Sequence, residues 1–271
     1  MSKLQLPDVT LVAIETREHV LMRMAIQECL DKAEFGEVLV LTNDQTKILP
    51  LDITGHTCLR FHTVADWPDK LGWSRCLWYD VPPLLRTAYT LNIQWDSWIW
   101  DVRQWTDQFY DFDYIGAPWW YKDGKNVGNG GFSWVSTRLK RYVYNNRGVY
   151  ACVSPADDDL YCRKYRPNLE QKGFVWAPEK IAHQFSFECC RPTISSFHFG
   201  FHAMFNWSVV LPEDRLIERV KIAMASDYIT NPSGVIWRSF VQKHPDLVDR
   251  LLLEASNDLT GASHGKHFGV P

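Results

Sequence analysis

Two short apolar, β-branched runs, Val9–Ile14 and Glu37–Leu41, flank a stretch in which Val20, Leu21, Met24, Ala25 and Cys29 recur at three- and four-residue spacing. Strand, amphipathic helix, strand is a βαβ unit: parallel neighbours need a crossover of this length, and its helix covers one face of the sheet they share. The helix is expected to run to about Glu34 and to stop at Gly36. Further strands are expected at Thr57–Phe61, Thr90–Trp95, Asp113–Gly116 and Phe132–Val135. Helices are expected at Ser74–Ala88 (interrupted by Pro82-Pro83), near Val102–Phe109, and at Thr137–Asn146, Asp158–Tyr165, Pro178–His183, Glu213–Ala225, Val235–Lys243 and Leu247–Glu254. No linker or repeat divides the pattern. One α/β domain over residues 1–256 is therefore expected, with the helices from about residue 213 packed on it and residues 257–271 as a flexible tail.

Composition narrows the function. Lys plus Arg number 29 against 32 Asp plus Glu, a net charge of −3, so no overall positive field draws the chain to nucleic acid or anionic membrane. The apolar runs are far shorter than the roughly 20 residues of a membrane-spanning helix. Asp8, Glu15, Arg17 and Glu18 interrupt the N-terminal stretch where a secretory signal would be apolar, so a cytoplasmic protein is expected. Seven cysteines lack Cys-x-x-Cys or zinc-ligand spacing and read as buried thiols. The turn after the first strand has no glycine, and neither a phosphate loop nor a Gly-x-Ser-x-Gly elbow occurs, which removes NAD enzymes, P-loop NTPases and serine hydrolases of the common α/β type. Tryptophan, at 13, exceeds tyrosine, at 11; indoles suit stacking on sugars or bases as well as core packing.

Ligands of open α/β sheets sit at the carboxyl ends of strands, here Glu15–Arg17 and Thr42–Asp44. Asp96 directly follows an expected strand, so its carboxylate should project into the same crevice. Asn129-Gly130-Gly131 lies between a Gly- and Lys-rich loop and a strand, where missing side chains let a ligand approach the backbone. Asp157-Asp158-Asp159 precede an apolar helix, a position that the helix dipole favours for anions. His198 and His202 would share a strand face about 13 Å apart at ~3.3 Å per residue, so one of them at most reaches a given ion. Asp101 could serve as a further ligand or as a helix cap.

The order and spacing of Gln94-Trp95-Asp96, Asn129-Gly130-Gly131-Phe132-Ser133, Asp157-Asp158-Asp159 and His198-Phe199-Gly200-Phe201-His202 resemble the nucleotide-sugar glycosyltransferases of the GT-A fold. The run from Val9 to about Asn206 is similar to an uncharacterised glycosyltransferase-like family. Its most specific strings are Val-Gly-Asn-Gly-Gly-Phe-Ser at 127–133, Phe-Gly-Phe-His at 199–202 and Ile-Gly-Ala-Pro-Trp at 115–119. The resemblance implies a Rossmann-like GT-A fold, with a mixed, mostly parallel central sheet and flanking helices. It implies a metal-dependent, inverting transfer of sugar from a nucleotide-sugar donor, a UDP-sugar, to a hydroxyl acceptor. Asp96 and His202 would hold Mn²⁺ or Mg²⁺, although Gln94 replaces the first Asp of the family's Asp-x-Asp. Asp158 would be the base. Thr16, Arg17, Asn43, Arg75, Gln94, Trp95, Asn129, Gly130 and Gly131 would bind nucleotide and sugar, and Trp119, Trp120 and Asp157 the acceptor. The acceptor could be a glycan, a small molecule or a modified base in viral DNA. For DNA the feature is the basic stretch Arg138-Leu139-Lys140-Arg141-Tyr142 with Arg147, Arg163, Lys164 and Arg166, which reads equally as a solvated helix face. A carbohydrate-binding module without turnover is the alternative of another class.

Overall fold

The computed structural model describes residues 2–67, 69–189, 197–231 and 235–253. Two compact units divide the chain, Met1–Asn206 and Trp207–Pro271. The first opens with β1 (Leu4–Ile14), α1 (His19–Lys32), β2 (Ala33–Thr42) and β3 (Cys58–Thr63). After α2 (Lys70–Arg75) comes a wide π turn over Cys76–Asp80, then α3 (Val81–Leu84), β4 (Tyr89–Ile93), β5 (Trp98–Ile99), β6 (Tyr114–Ile115), β7 (Phe132–Ser136) and α4 (Thr137–Asn145). The short turn α5 (Asp157–Asp159) runs into a second π turn, Leu160–Lys164, followed by α6 (Arg166–Gln171), α7 (Glu179–Phe185), β8 (Ser186–Phe187) and β9 (Gly200–Phe201). The second unit holds α8 (Trp207–Val210), α9 (Glu213–Met224), α10 (Val235–Lys243) and a helical stretch over 245–253. Residues 257–271, expected as a tail, lie outside the described residues.

The expected βαβ unit forms the middle of a six-stranded sheet of order β3-β2-β1-β4-β7-β6. β1 pairs in parallel with β2 and β4, and β2 with β3, whereas β4–β7 and β7–β6 are antiparallel. The sheet is thus mixed and not mostly parallel. The cause is the return from β6 to β7, a loop folded back on itself by the Pro118–Val127 bridge; a reversal of this kind needs no crossover helix. A smaller sheet, β5-β9-β8, brings residues 98–99, 186–187 and 200–201 together.

Two local departures have physical reasons. Gly36 does not stop α1; the helix ends at Lys32, and Gly36 lies inside β2, where a Cβ would overlap the Pro7 carbonyl oxygen of the neighbouring strand. The helix expected near Val102–Phe109 is two short 3₁₀ turns, because Asp101 and Thr106 each cap a new start by accepting the backbone N–H two residues on.

Period-two alternation divides the core. Val12, Ile14, Leu39 and Leu41 pack with Cys76, Leu77, Val81 and Leu85 on one face. Val135 joins Trp78, Leu139, Val143 and Tyr161 in a second cluster. Phe132 and Trp134, alternate to Ser133 and Val135, meet an aromatic cluster of Trp105, Phe109, Phe185 and Phe199. Seven of the 13 tryptophans, Trp78, Trp95, Trp98, Trp134, Trp176, Trp207 and, half-covered, Trp73, are thus spent on packing or backbone hydrogen bonds rather than on display. Among the described residues no helix is long and apolar enough to cross a membrane.

Candidate active site at the carboxyl edge of the sheet

β4 ends at Ile93, and the chain turns sharply: Gln94 N donates to Gly131 O at 3.0 Å and to Ser97 Oγ at 2.9 Å. This turn places Gln94 and Asp96 at the strand end. Asp96 is buried; its Oδ2 accepts from Met204 N at 3.2 Å, while Oδ1 has no hydrogen-bond partner. His202 follows β9 and points its Nε2 at Gln94 Oε1, 3.1 Å away, with Asp96 Oδ1 at 3.5 Å. On the other side of the ring, Nδ1 donates to Glu188 Oε1 at 3.0 Å. Burial opposes a charged imidazole here, but the Asp96 and Glu188 carboxylates outweigh it and raise the His202 pKa to about 10. Glu188 is likewise opposed by burial yet held below its ordinary value by His202, with the Asn129 amide assisting.

Asp96 Oδ1, Gln94 Oε1 and His202 Nε2 converge, and Glu188 orients the ring from behind, as the outer carboxylate of a metal-bound histidine does. Among the described residues no three His, Cys, Asp or Glu side chains converge as a metal-binding group, because Asp96 and Glu188 stand on opposite nitrogens of one ring. The donor set nonetheless fits an ion that takes part of its shell from phosphate. A hard divalent cation needs few protein ligands in that case, and the orphaned Asp96 oxygen supplies the anionic one.

The Asn129–Gly131 turn joins this cluster to the acidic residues. Asn129 adopts a left-handed φ of 68°, and its amide nitrogen lies 3.0 Å from His202 Nδ1. Gly131 is required, since a Cβ there would lie within the His202 ring. Gly130 N donates to Asp158 Oδ2 at 3.0 Å, and a Cβ on Gly130 would press on the Asp157 carboxylate at 3.1 Å. Asp157 is buried and Asp158 partly exposed. Burial and the neighbouring Asp158 push the Asp157 carboxyl up to about 7, against the pull of Lys140 and Lys70. Asp158 is also raised, by burial first and by Glu188, with Lys70 and the Gly130 N–H opposing.

The ends of β1 and β2 form a second polar group. Asn43 is the tie: its Nδ2 donates to Thr16 O at 3.1 Å and to Asp66, and its Oδ1 lies 2.7 Å from His19 Nε2. Glu15 turns back to accept from Thr16 N at 2.9 Å and Arg17 N at 2.7 Å. Thr16 Oγ1 is buried without a partner, and Arg17 is exposed.

The other sequence candidates separate. Asp101 caps its turn and is held by Arg103 Nε and Nη2, each at 2.8 Å, so it takes the capping alternative. His198 donates to the His183 carbonyl and packs on Phe187 at 4.7 Å, away from Asp96. Arg75 is exposed one residue past Ser74, whose Oγ donates to Pro155 O at 2.8 Å. Trp95 is buried. Trp119 lies against the Gly128 backbone, whereas Trp120 is 62% exposed beside Tyr121, over which the Arg163 guanidinium sits at 3.7 Å. The basic stretch does not form one face: Lys140 is fully buried, Arg138 pairs with Asp113, and Arg163 pairs with Asp123 at 2.7 Å.

Residues 69–202 match the model of a family described as a protein of unknown function (DUF5672). Comparison with curated proteins gives no match. The matched span begins at the cap of α2 and ends on His202, so it holds Asp96, the glycine turn, the acidic pair and Glu188 and leaves out Thr16, Arg17 and Asn43. Glu188 and Lys140 were not singled out as site residues by sequence. Glu188 carries no motif; only the pairing of β8 with β9, which sets Phe187 beside Phe201, brings it next to His202. Lys140 did leave a signal: with Leu139 and Val143 it falls on the buried stripe of α4, where a cation is out of place.

Proposed function

We propose that the first unit is a metal-dependent glycosyltransferase of GT-A type, which moves a sugar from a nucleotide-sugar donor, a UDP-sugar, to a hydroxyl acceptor with inversion. The observation that carries this reading is the convergence of Asp96 Oδ1, Gln94 Oε1 and His202 Nε2, one turn of chain from two raised carboxylates. Asp96 and His202, with Gln94 beside them, would hold Mn²⁺ or Mg²⁺, whose chemistry when bound is to neutralise the departing diphosphate. Glu188 orients the imidazole by accepting from Nδ1, and an ion would bind at Nε2 by displacing the proton that the Asp96 and Glu188 carboxylates hold on the ring. Thr16, Arg17 and Asn43 stand where the nucleotide would lie, at the carboxyl ends of β1 and β2. Asn129, Gly130 and Gly131 offer backbone to the sugar. Asp158 accepts the acceptor hydroxyl proton as the new C–O bond forms and the bond from the anomeric carbon to phosphate oxygen breaks; its raised pKa suits a base at neutral pH. Exposed Trp120 can stack on an acceptor sugar.

The test is thermal unfolding with nucleoside diphosphates and UDP-sugars, each with Mn²⁺, with Mg²⁺ and with chelator. A ligand at about 100 times its Kd adds about 2.7 kcal/mol, or ~5–10 °C for a unit of this size. Stabilisation by one nucleotide that vanishes with chelator and in Asp96→Asn supports the reading. No shift with any nucleotide overturns it and favours a carbohydrate module built around the exposed Trp120, which sugars alone would stabilise.

A further inference from the structure

Lys140 lies in the interior with zero exposure, and its ammonium donates to Asn92 Oδ1 at 3.1 Å. Asn92, on β4, passes the contact across the sheet: its Nδ2 donates to Ser133 Oγ at 3.0 Å and to Ser133 O at 3.3 Å. Ser133 Oγ in turn donates to Gly130 O at 3.2 Å. The next group along is the Gly130 N–H, which holds Asp158. A continuous polar path thus joins a buried ammonium to the turn between the two halves of the site. The Asp157 carboxylate packs against that same turn and senses the Lys140 charge.

We propose that Lys140 is the positioning residue of the acidic pair: through Asn92 and Ser133 it fixes the Gly130 turn, and its buried charge weakens the hold of Asp157 on the proton that the pair shares. The reason is electrostatic. Adjacent carboxylates in a low-dielectric site cannot both ionise without a counter-charge, and one of them holds a proton unless a cation is supplied. The groups facing the pair are Lys140 from α4, Lys70 from α2, Glu188 after β8, Tyr114 from β6, and Cys152, Tyr161 and Cys162 around it. The cations in that set are Lys140 and Lys70, and Lys70 is exposed and screened by solvent. Burial itself pulls Lys140 down to about 7, opposed by Asp157, so its charge responds to the pair it serves. A merely structural lysine, such as one that snorkels to the surface, would lack the Asn92–Ser133 path.

The description of Asp158 as a base rests on the glycosyl-transfer reading, but the decisive measurement needs no turnover. Carbon-13 NMR of Asp-labelled full-length chain, assigned with Asp157→Asn and Asp158→Asn, follows both carboxyls from pH 4 to 9 in wild type and in Lys140→Met. The variant is expected to raise the apparent midpoint of the pair by about one pH unit or more, a tenfold change in proton affinity, and to move the Gly130 amide resonance. An unchanged carboxyl titration in folded Lys140→Met overturns the proposal. If that variant does not fold, the wild-type Lys140 side-chain resonance decides: a midpoint near neutrality that falls further in Asp157→Asn supports the coupling, and an ordinary lysine midpoint overturns it. A shifted titration together with full transfer activity in Asp158→Asn would leave the coupling standing and remove only the assignment of Asp158 as base.

Discussion

Lys140→Met also changes stability, and the sign follows from linkage. The Lys140 pKa is depressed from 10.5 to about 7 in the folded chain. The unfolded chain therefore binds more protons between those values, and this group makes stability rise with pH across that window. The full interval corresponds to about 5 kcal/mol at 1.36 kcal/mol per unit. At pH 7 that cost is still largely in place, so methionine, an uncharged side chain of similar length, relieves it. Against this stands the unsatisfied Asn92 Oδ1, at about 1–3 kcal/mol. The variant is thus expected to be the more stable protein at pH 7, by about 2–4 kcal/mol. The advantage then shrinks. His202, raised to about 10, makes stability fall as pH rises above 6.5, and this nearly cancels Lys140 in the wild type; the difference between the proteins removes His202 and leaves the lysine together with the acidic pair, whose raised midpoint in the variant narrows the gap in the same direction. From pH 7 to 8.5 the gap should narrow by about 2 kcal/mol, or ~4–8 °C in Tm. The window stops there because the buried thiols Cys29, raised to about 12, and Cys76, pushed up likewise by burial, add a falling slope above their ordinary value of 9. Paired melting curves in chelator at pH 7.0, 7.5, 8.0 and 8.5 measure it. A gap that stays constant over this range would refute the reasoning.

Gly131→Ala should leave the fold intact but push the His202 ring aside, abolishing metal-dependent nucleotide stabilisation; a full ligand-induced Tm shift in this variant counts against the site. Glu188→Gln should weaken Mn²⁺ binding by about 10–100-fold in calorimetry with nucleotide present, since it loosens the hold on the imidazole. Asp158→Asn should retain nucleotide binding and lose at least about 10²-fold in transfer, read by product formation once an acceptor is found; equal activity would exclude it as base. Gly36→Ala should cost more than about 1 kcal/mol in urea unfolding, because its Cβ meets backbone of β1 rather than a side chain that can move.

The sequence reading located β1, α1 and β2 because an apolar run and a 3.6-residue stripe are local signals, and α10 matches its expected bounds, Val235–Lys243. It misread what depends on distant partners. Gly36 looks like a helix stop until Pro7 is placed across from it. The direction of β7 could not be read because direction follows from the loop fold, and the Pro118–Val127 bridge is not a local pattern. Within the site the same division holds. Asp96, Gly131 and Asp158 announce themselves by type and position. Asp101 and His198 are of equally suitable type, and only their hydrogen bonds to Arg103 and to the His183 carbonyl remove them. Glu188 is invisible without the β8–β9 register. Lys140 was hidden in a basic run whose outer members are paired elsewhere, and its position on the buried stripe of α4 outweighs its charge.

On the glycosyl-transfer reading, the Asn129–Gly131 turn is what ties the proposed ion-holding residues to the proposed base. Asn129 meets His202, Gly131 leaves room for the ring, and Gly130 uses its N–H for Asp158 and its carbonyl for Ser133. A movement of this turn toward His202 draws the Gly130 N–H from Asp158, and a movement toward Asp158 opens the contact with His202, so the ring and the carboxylate cannot vary independently. On that reading the ligand side must stay open, and support for the turn then comes from the interior. The buried path from Ser133 through Asn92 to Lys140 lies on that inner side, and an apolar residue at position 140 would give stability while leaving the turn unheld. A buried cation that lowers stability at neutral pH yet is hydrogen-bonded through Asn92 and Ser133 to this turn is what the proposed positioning role requires, and folding alone does not call for it.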